Sequence, residues 1–256
     1  MQVGAILFGR AAVSTTGSSP RGLQDHKSDR VPRWLNQRSS SFLSSVEVLW
    51  EIDFHHESSL PDLTIGQVIT HVARCADDYA DILHEFRTGG IPPVDELRRW
   101  PEDPGGHRPG AVVIDDITTA LSRLRDETAA FVCTDRGRAP GIDRVLWDAL
   151  VEIIVHDLDM RVAEELDGET VAGILVEVVT ELAEVPDWPR TRLCSDGSLE
   201  VFHAIGEVAI VQGSPRDLLA WLTGRPLAGA VTAADGGGVP TLPAWRCHRE
   251  FEKAGG

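Results

Sequence analysis

Leu63-Thr64-Ile65-Gly66-Gln67-Val68-Ile69-Thr70-His71-Val72 is the stretch on which the fold turns. Thr64 and Gln67 have capping-box spacing, and Leu63 and Val68 occupy the two positions of a hydrophobic staple, so a helix is predicted to begin at Ile65. Its apolar residues Ile65, Val68, Val72, Ala76, Tyr79, Leu83 and Phe86 advance by threes and fours, the period of one buried helix face. Gly89-Gly90 ends it.

Similar patterns lie on both sides. Upstream, Phe42, Leu43, Val46, Leu49 and Phe54 form a helical stripe within Ser41 to Glu57. Downstream, Gly89 to Gly110 holds five prolines and five glycines, a long irregular connection of the kind that serves as a lid or link, with room for a short helix from Val94 to Trp100. A third helix carries Val113, Ile117, Leu121, Leu124, Thr128 and Phe131 on one face, and a fourth runs from about Ile142 to Glu165 after Arg138-Ala139-Pro140-Gly141. Four amphipathic helices of this size predict a bundle over residues 41–166.

From Asp167 the texture changes. Val171 to Val185 reads as a fifth helix, and Arg192 to Leu193, Leu199 to Ala204 and Val208 to Val211 as short strands, the last pair turning near Gly206. Ser214 can cap a further helix with Pro215 in its first position and Asp217 completing a capping-box variant, while Gly224 and Pro226 mark its end. The fold class is therefore α+β, a helical bundle followed by a small α/β domain over residues 167–256. There is no internal repeat at a solenoid period.

Charge narrows the partners. The 256 residues hold 24 Lys and Arg against 40 Asp and Glu, a formal net charge of -16, which would repel nucleic-acid phosphates and an anionic membrane surface alike. A small-molecule partner is expected, and an acidic surface is compatible with a monomer. With 42% hydrophobic residues the chain can bury a sizeable core, yet it has no apolar run of the roughly 18 to 20 residues that a membrane helix needs. The apolar start Met1 to Phe8 is short for a signal peptide, and Cys75, Cys133, Cys194 and Cys247 include no CxxC pair, so a cytoplasmic protein with reduced thiols is expected. Residues 1–40 differ from the rest, carrying +4 against -20 for the remainder. Rich in Ser, Arg, Gly and Pro, they read as a disordered extension, a targeting segment or a start assigned too early.

The chemistry concentrates on the fourth helix. Val145, Ala149, Glu152, His156 and Met160 advance by threes and fours along one line, which puts Glu152 and His156 on the buried face. A buried carboxylate needs compensation, since an unsatisfied polar group costs roughly 2–7 kcal/mol and a charge more. Two compensations are open: an Arg from a neighbouring helix with a hydrogen-bonded His, or a divalent metal held by Glu and His at i, i+4. His71 lies beside Val68, Val72 and Cys75 on the second helix, within reach of a neighbour's inner face. Two histidines and a glutamate with an open position are a catalytic rather than a structural arrangement for zinc, and nickel, manganese or iron suit the same ligand types. Cys75, one turn after His71, could reach the same metal or simply pack. Of Asp157 and Asp159, the latter is the better placed to orient a ligand, a solvated acidic face being the alternative. His55-His56-Glu57 resembles a metal cluster, but adjacent histidines on a helix diverge, so it reads as surface.

Three segments resemble the mycothiol-dependent maleylpyruvate isomerase family, a DinB-like metal-binding four-helix bundle with a C-terminal α/β module. They are Leu60 to Arg74, Glu152-Ile153-Ile154-Val155-His156-Asp157-Leu158-Asp159, and Val211 to Arg225, in the family's order. The resemblance runs from about Ser41 to Trp245 and implies that His71, Glu152 and His156 are the metal ligands. It also implies that Arg225 matches a C-terminal arginine implicated in activity; a cation facing the C-terminal dipole of its helix is the other reading. Leu63, Cys75 and Val155 depart from the family's usual Trp, Asn and His.

The resemblance further implies mycothiol as cosubstrate, its thiolate generated or positioned at the metal and added to an activated cis double bond, with Arg225 holding a substrate carboxylate. The same site would serve a thiol S-transferase. A non-catalytic ligand-binding or regulatory protein, and a metal-dependent hydrolase using bound water, are the rival readings. Two Lys against 22 Arg fit a GC-rich, actinobacterial coding sequence.

Overall fold

The structure is a computed structural model that describes residues 20–90, 108–132, 141–160, 168–182, 189, 191–195, 199–202, 209–225 and 229–242. Helix α1 spans Pro20–Glu47. Its inner face, Val31, Trp34, Leu35, Arg38, Ser39, Phe42 and Val46, is buried throughout at helical spacing. This corrects the expectation of disorder through residue 40: the chain is helical from Pro20 and part of the core from Val31. The stripe is hard to see in sequence because Arg38 and Ser39 stand at core positions and Pro32 sits inside the helix. Ser39 donates to the Leu35 carbonyl at 2.7 Å and Arg38 Nη2 to Asp157 Oδ2 at 2.9 Å, while Arg38 Nε and Asp157 Oδ1 are buried with no hydrogen-bond partner among the described residues.

The helix also stops at Glu47 rather than Glu57. Trp50 N–H donates to Asp53 Oδ2 at 2.8 Å, and Asp53–His55 forms a single 3-10 turn that delivers Phe54 to the core from outside the helix. Phe54 then backs onto the next helix, α2 (Ile65–Thr88), at Gly66, where an added Cβ would meet the Phe54 carbonyl oxygen at 2.9 Å.

The expected start of α2 is found. Gln67 N–H donates to Thr64 Oγ1 at 3.2 Å, Thr64 N–H donates to Gln67 Oε1 at 2.8 Å, and Leu63 and Val68 are both buried. Gly89, at φ 90, ends the helix with its N–H on the Glu85 carbonyl, in the left-handed conformation glycine adopts without strain. The short helix expected over Val94 to Trp100 lies outside the described residues. Helix α3 (Gly110–Val132) buries every residue of its predicted face. Helix α4 (Ile142–Asp159) begins at Gly141 and is described no further than its C-cap Met160, so the expected continuation to Glu165 lies outside the described residues. In the bundle α1 packs on α3 and α4, and α2 packs on the same two helices. That ring makes α2 and α4 neighbours.

Helix α5 (Gly168–Leu182) follows, then β1 (Thr191–Ser195), β2 (Leu199–Phe202), β3 (Ala209–Gln212), α6 (Pro215–Leu222) and β4 (Thr232–Ala233). The sheet order is β2-β1-β3-β4. Sequence reading paired the second and third strands through a turn near Gly206, but β1 lies between them, antiparallel to β2 and parallel to β3. Local pattern cannot reveal that, because alternation marks a strand without naming its neighbour. The α6 start is as expected, with Ser214 accepting from Asp217 N–H and Pro215 in the first turn. Helix α6 packs on α5 and β1. This half meets the bundle where Gly173 of α5 faces Trp34 of α1, so closely that a Cβ would lie 2.6 Å from Trp34 Cζ2.

Candidate metal centre

Helix α4 presents Glu152 and His156 one turn apart toward α2, and α2 presents His71 and Cys75 one turn apart toward α4. The donor atoms converge. His156 Nε2 lies 3.3 Å and His71 Nε2 3.7 Å from the same oxygen, Glu152 Oε2. The two imidazoles meet edge to face with centroids 4.8 Å apart. Cys75 Sγ is 3.4 Å from His71 Nε2, and one donor atom each of His71, Cys75 and Glu152 lie within 4.8 Å of one another. His156 is shut away at 1% side-chain exposure while Glu152 keeps 24%, so the cluster opens to solvent on the Glu152 side.

The far side of His156 is built to hold its ring. His156 Nδ1 bonds Asp159 Oδ2 at 2.8 Å, which directs Nε2 at Glu152. Asp159, fully buried, also accepts from Ser59 Oγ at 2.8 Å, Arg225 Nε at 3.1 Å and Arg225 Nη2 at 3.2 Å. The segment before α2 thus clamps the end of α4, and Ser59 N–H adds a bond to the Asp159 carbonyl at 2.9 Å.

Burial and charge set the protonation states. Burial pushes the His71 imidazole down to about 4, helped by the charges of His156 and Arg74, and the Glu152 bond only partly restores it. Burial would likewise lower His156, but the Asp159 and Glu152 carboxylates outweigh it and hold the imidazole above its ordinary value. Burial opposes ionisation of both carboxyls, and their partners reverse this: the two histidines hold Glu152 well below the usual range, and His156 with Arg225 brings Asp159 to about 2. At neutral pH the metal-free cluster therefore pairs a neutral His71 with ionised Glu152 and Asp159, and His156 holds its proton more strongly than a free imidazole.

These donors fit a divalent metal. Zinc bonds of about 2.0–2.3 Å to N, O and S in tetrahedral array separate neighbouring ligands by roughly 3.3–3.6 Å; Glu152 Oε2 lies 3.3 Å from His156 and 3.7 Å from His71, and among the described residues the donors that all lie within 4.8 Å of one another are those of His71, Cys75 and Glu152. A metal held here would require His156 Nε2 to be free of a proton.

The structure brings His71, Glu152 and His156 together and sets Arg225 apart. Its guanidinium, 1% exposed, bonds Asp159 and, through Nη1, the Thr223 carbonyl at 2.8 Å. It therefore holds the end of α6 and supports His156 through Asp159. Asp159 orients His156 as anticipated, whereas Asp157 is buried against Arg38 and forms no solvated face. His55 and His56 are exposed and pair with Glu51 and Asp53. Ser59 and Arg38 gave no sequence signal, since their partners lie 100 and 119 residues away.

The comparisons agree with this architecture. A solved structure titled as the mycothiol-dependent maleylpyruvate isomerase superposes with a TM-score of 0.68 at 19% identity, covering 85% of this chain and 96% of that one. A histidine-to-alanine mutant of that enzyme gives 0.67 with the same identity and coverage. At this identity the likeness shows a shared fold. No curated protein matches the chain in sequence. The family profile described as Mycothiol maleylpyruvate isomerase N-terminal domain matches residues 35–161, from within α1 to just past α4 and across all three His and Glu donors. Through that bundle the chain belongs to the mycothiol-dependent maleylpyruvate isomerase family.

Proposed function

We propose that this chain is a metal-dependent enzyme that uses a low-molecular-weight thiol, mycothiol, to isomerise a small unsaturated acid from cis to trans. The observation that carries the reading is the convergence of His71, Glu152 and His156 from two helices on a face left open at Glu152. A divalent metal there, zinc first, would act as a Lewis acid that lowers the pKa of an incoming thiol.

The chain's residues do the remaining work. His71 would offer a metal the unprotonated nitrogen of the neutral imidazole it already is at neutral pH. His156 binds through Nε2 with its tautomer set by Asp159, and Arg225 and Ser59 keep Asp159 in place. The bundle to about residue 166 supplies the donors, and the small domain from 167 supplies Arg225. In the reaction the thiolate forms a C–S bond to the double bond, the remaining single bond rotates, and elimination breaks the C–S bond and returns the thiol.

A second reading is S-transfer on the same site. It is favoured by the engagement of Arg225, which leaves the acid group of an isomerase substrate without the clamp expected for it. The experiment incubates the zinc-loaded chain with maleylpyruvate and mycothiol. Turnover that needs both metal and thiol and regenerates the thiol supports isomerisation; stoichiometric thiol consumption with an electrophile supports transfer; thiol-independent turnover contradicts both.

A further inference from the structure

Cys75 stands one turn after His71 with its sulfur turned back toward the same ring nitrogen that faces Glu152. The sulfur also lies 3.8 Å from Nδ1, beside the ring edge that carries both nitrogens, and one donor atom each of His71, Cys75 and Glu152 lie within 4.8 Å of one another. Here the sulfur lies 3.4 Å from Nε2, about the edge of a tetrahedron with zinc bonds of roughly 2.1 Å to nitrogen and 2.3 Å to sulfur. The residue is partly exposed, as is Glu152.

We infer that Cys75 is a fourth protein ligand, so that the centre is His71, Cys75, Glu152 and His156 rather than three donors and a vacancy. The inference rests on the metal reading above and extends it. Four protein ligands make a closed set in the manner of structural zinc sites, with softer character that favours zinc over manganese or magnesium. An external thiol then enters by replacing the chain's own sulfur or by raising the coordination number. Changing Cys75 to Asn would open the fourth position.

The test is cobalt substitution of the full chain. Stoichiometric Co(II) uptake with visible ligand-field bands reports the metal site, and a near-ultraviolet sulfur-to-cobalt charge-transfer band reports a thiolate ligand. We expect both in the wild type, with the charge-transfer band lost in Cys75→Ser and zinc affinity lowered at least by the roughly 10–100-fold that loss of an outer-sphere partner costs. Ligand-field bands without the sulfur band would overturn the inference and leave the metal reading standing; no cobalt uptake at all would overturn both. A second readout needs no variant: zinc should protect Cys75 of the wild type from alkylation mapped by mass spectrometry, and equal labelling with and without zinc would refute the ligand role.

Discussion

Replacing Arg225 by Ala separates a supporting role from a catalytic one. The substitution removes two bonds to Asp159 and one to the Thr223 carbonyl, leaving Asp159 Oδ1 with Ser59 and Oδ2 with His156. Breaking one side of a buried ion pair costs about 3–5 kcal/mol, and the two surviving donors place the expected loss near the lower end. The second effect is on the metal. Without the guanidinium, Asp159 gives its charge more fully to His156, whose proton then competes harder with a metal, and an outer-sphere loss of this kind lowers affinity about 10–100-fold. Denaturant unfolding of the metal-free protein measures the first effect and zinc competition against a chromophoric chelator the second. Activity should return when zinc is raised to saturation. Stability within about 1 kcal/mol of wild type, the range of exposed pairs, combined with activity lost at full zinc occupancy, would refute the argument and return Arg225 to the substrate.

Other outcomes follow from the same geometry. Gly173→Ala drives a Cβ into Trp34 and should cost about 1–3 kcal/mol by overpacking, with Trp34→Leu restoring part of the loss; a neutral Gly173→Ala would contradict the close contact. Thr64→Ala removes the acceptor for Gln67 N–H and should lower stability by about 1 kcal/mol, read by thermal or denaturant melting. Because Asp159 falls from 3.8 to about 2 on folding, its ionised form contributes stability that is complete above the unfolded value and lost as pH falls through about 2. That amounts to about 2 kcal/mol. Metal-free unfolding free energies measured between about pH 4 and 2 should show this loss, and Asp159→Asn should flatten the slope.

What was legible in sequence was local. The Thr64–Gln67 box and the Leu63–Val68 staple announced α2, and the stripe of α3 was read residue for residue, because caps and periodicity are written within a few positions. Glu152 and His156 stood out for the same reason: two ionisable groups on an otherwise apolar line need a partner, and His71 was found on the neighbouring stripe. Long-range compensation was invisible. The core face of α1 carries Arg38, which looks like a surface residue until Asp157 is brought to it. Arg225 likewise shows its partner only in three dimensions, 66 residues from Asp159. The parallel pairing of β1 with β3 depends on which strand edge remains open once β2 has folded back, a choice that no single strand encodes.

The central claim is that His71, Glu152 and His156 hold a divalent metal, and metal analysis of the purified protein tests it most directly. Wild type and His156→Ala would be prepared side by side in chelator-free buffers and each reconstituted with zinc, nickel and manganese. The account predicts about one tightly held metal per chain in the wild type and its loss in His156→Ala, with the fold of the variant retained by circular dichroism. A wild type that holds no metal after reconstitution, or a His156→Ala that holds as much, would contradict it.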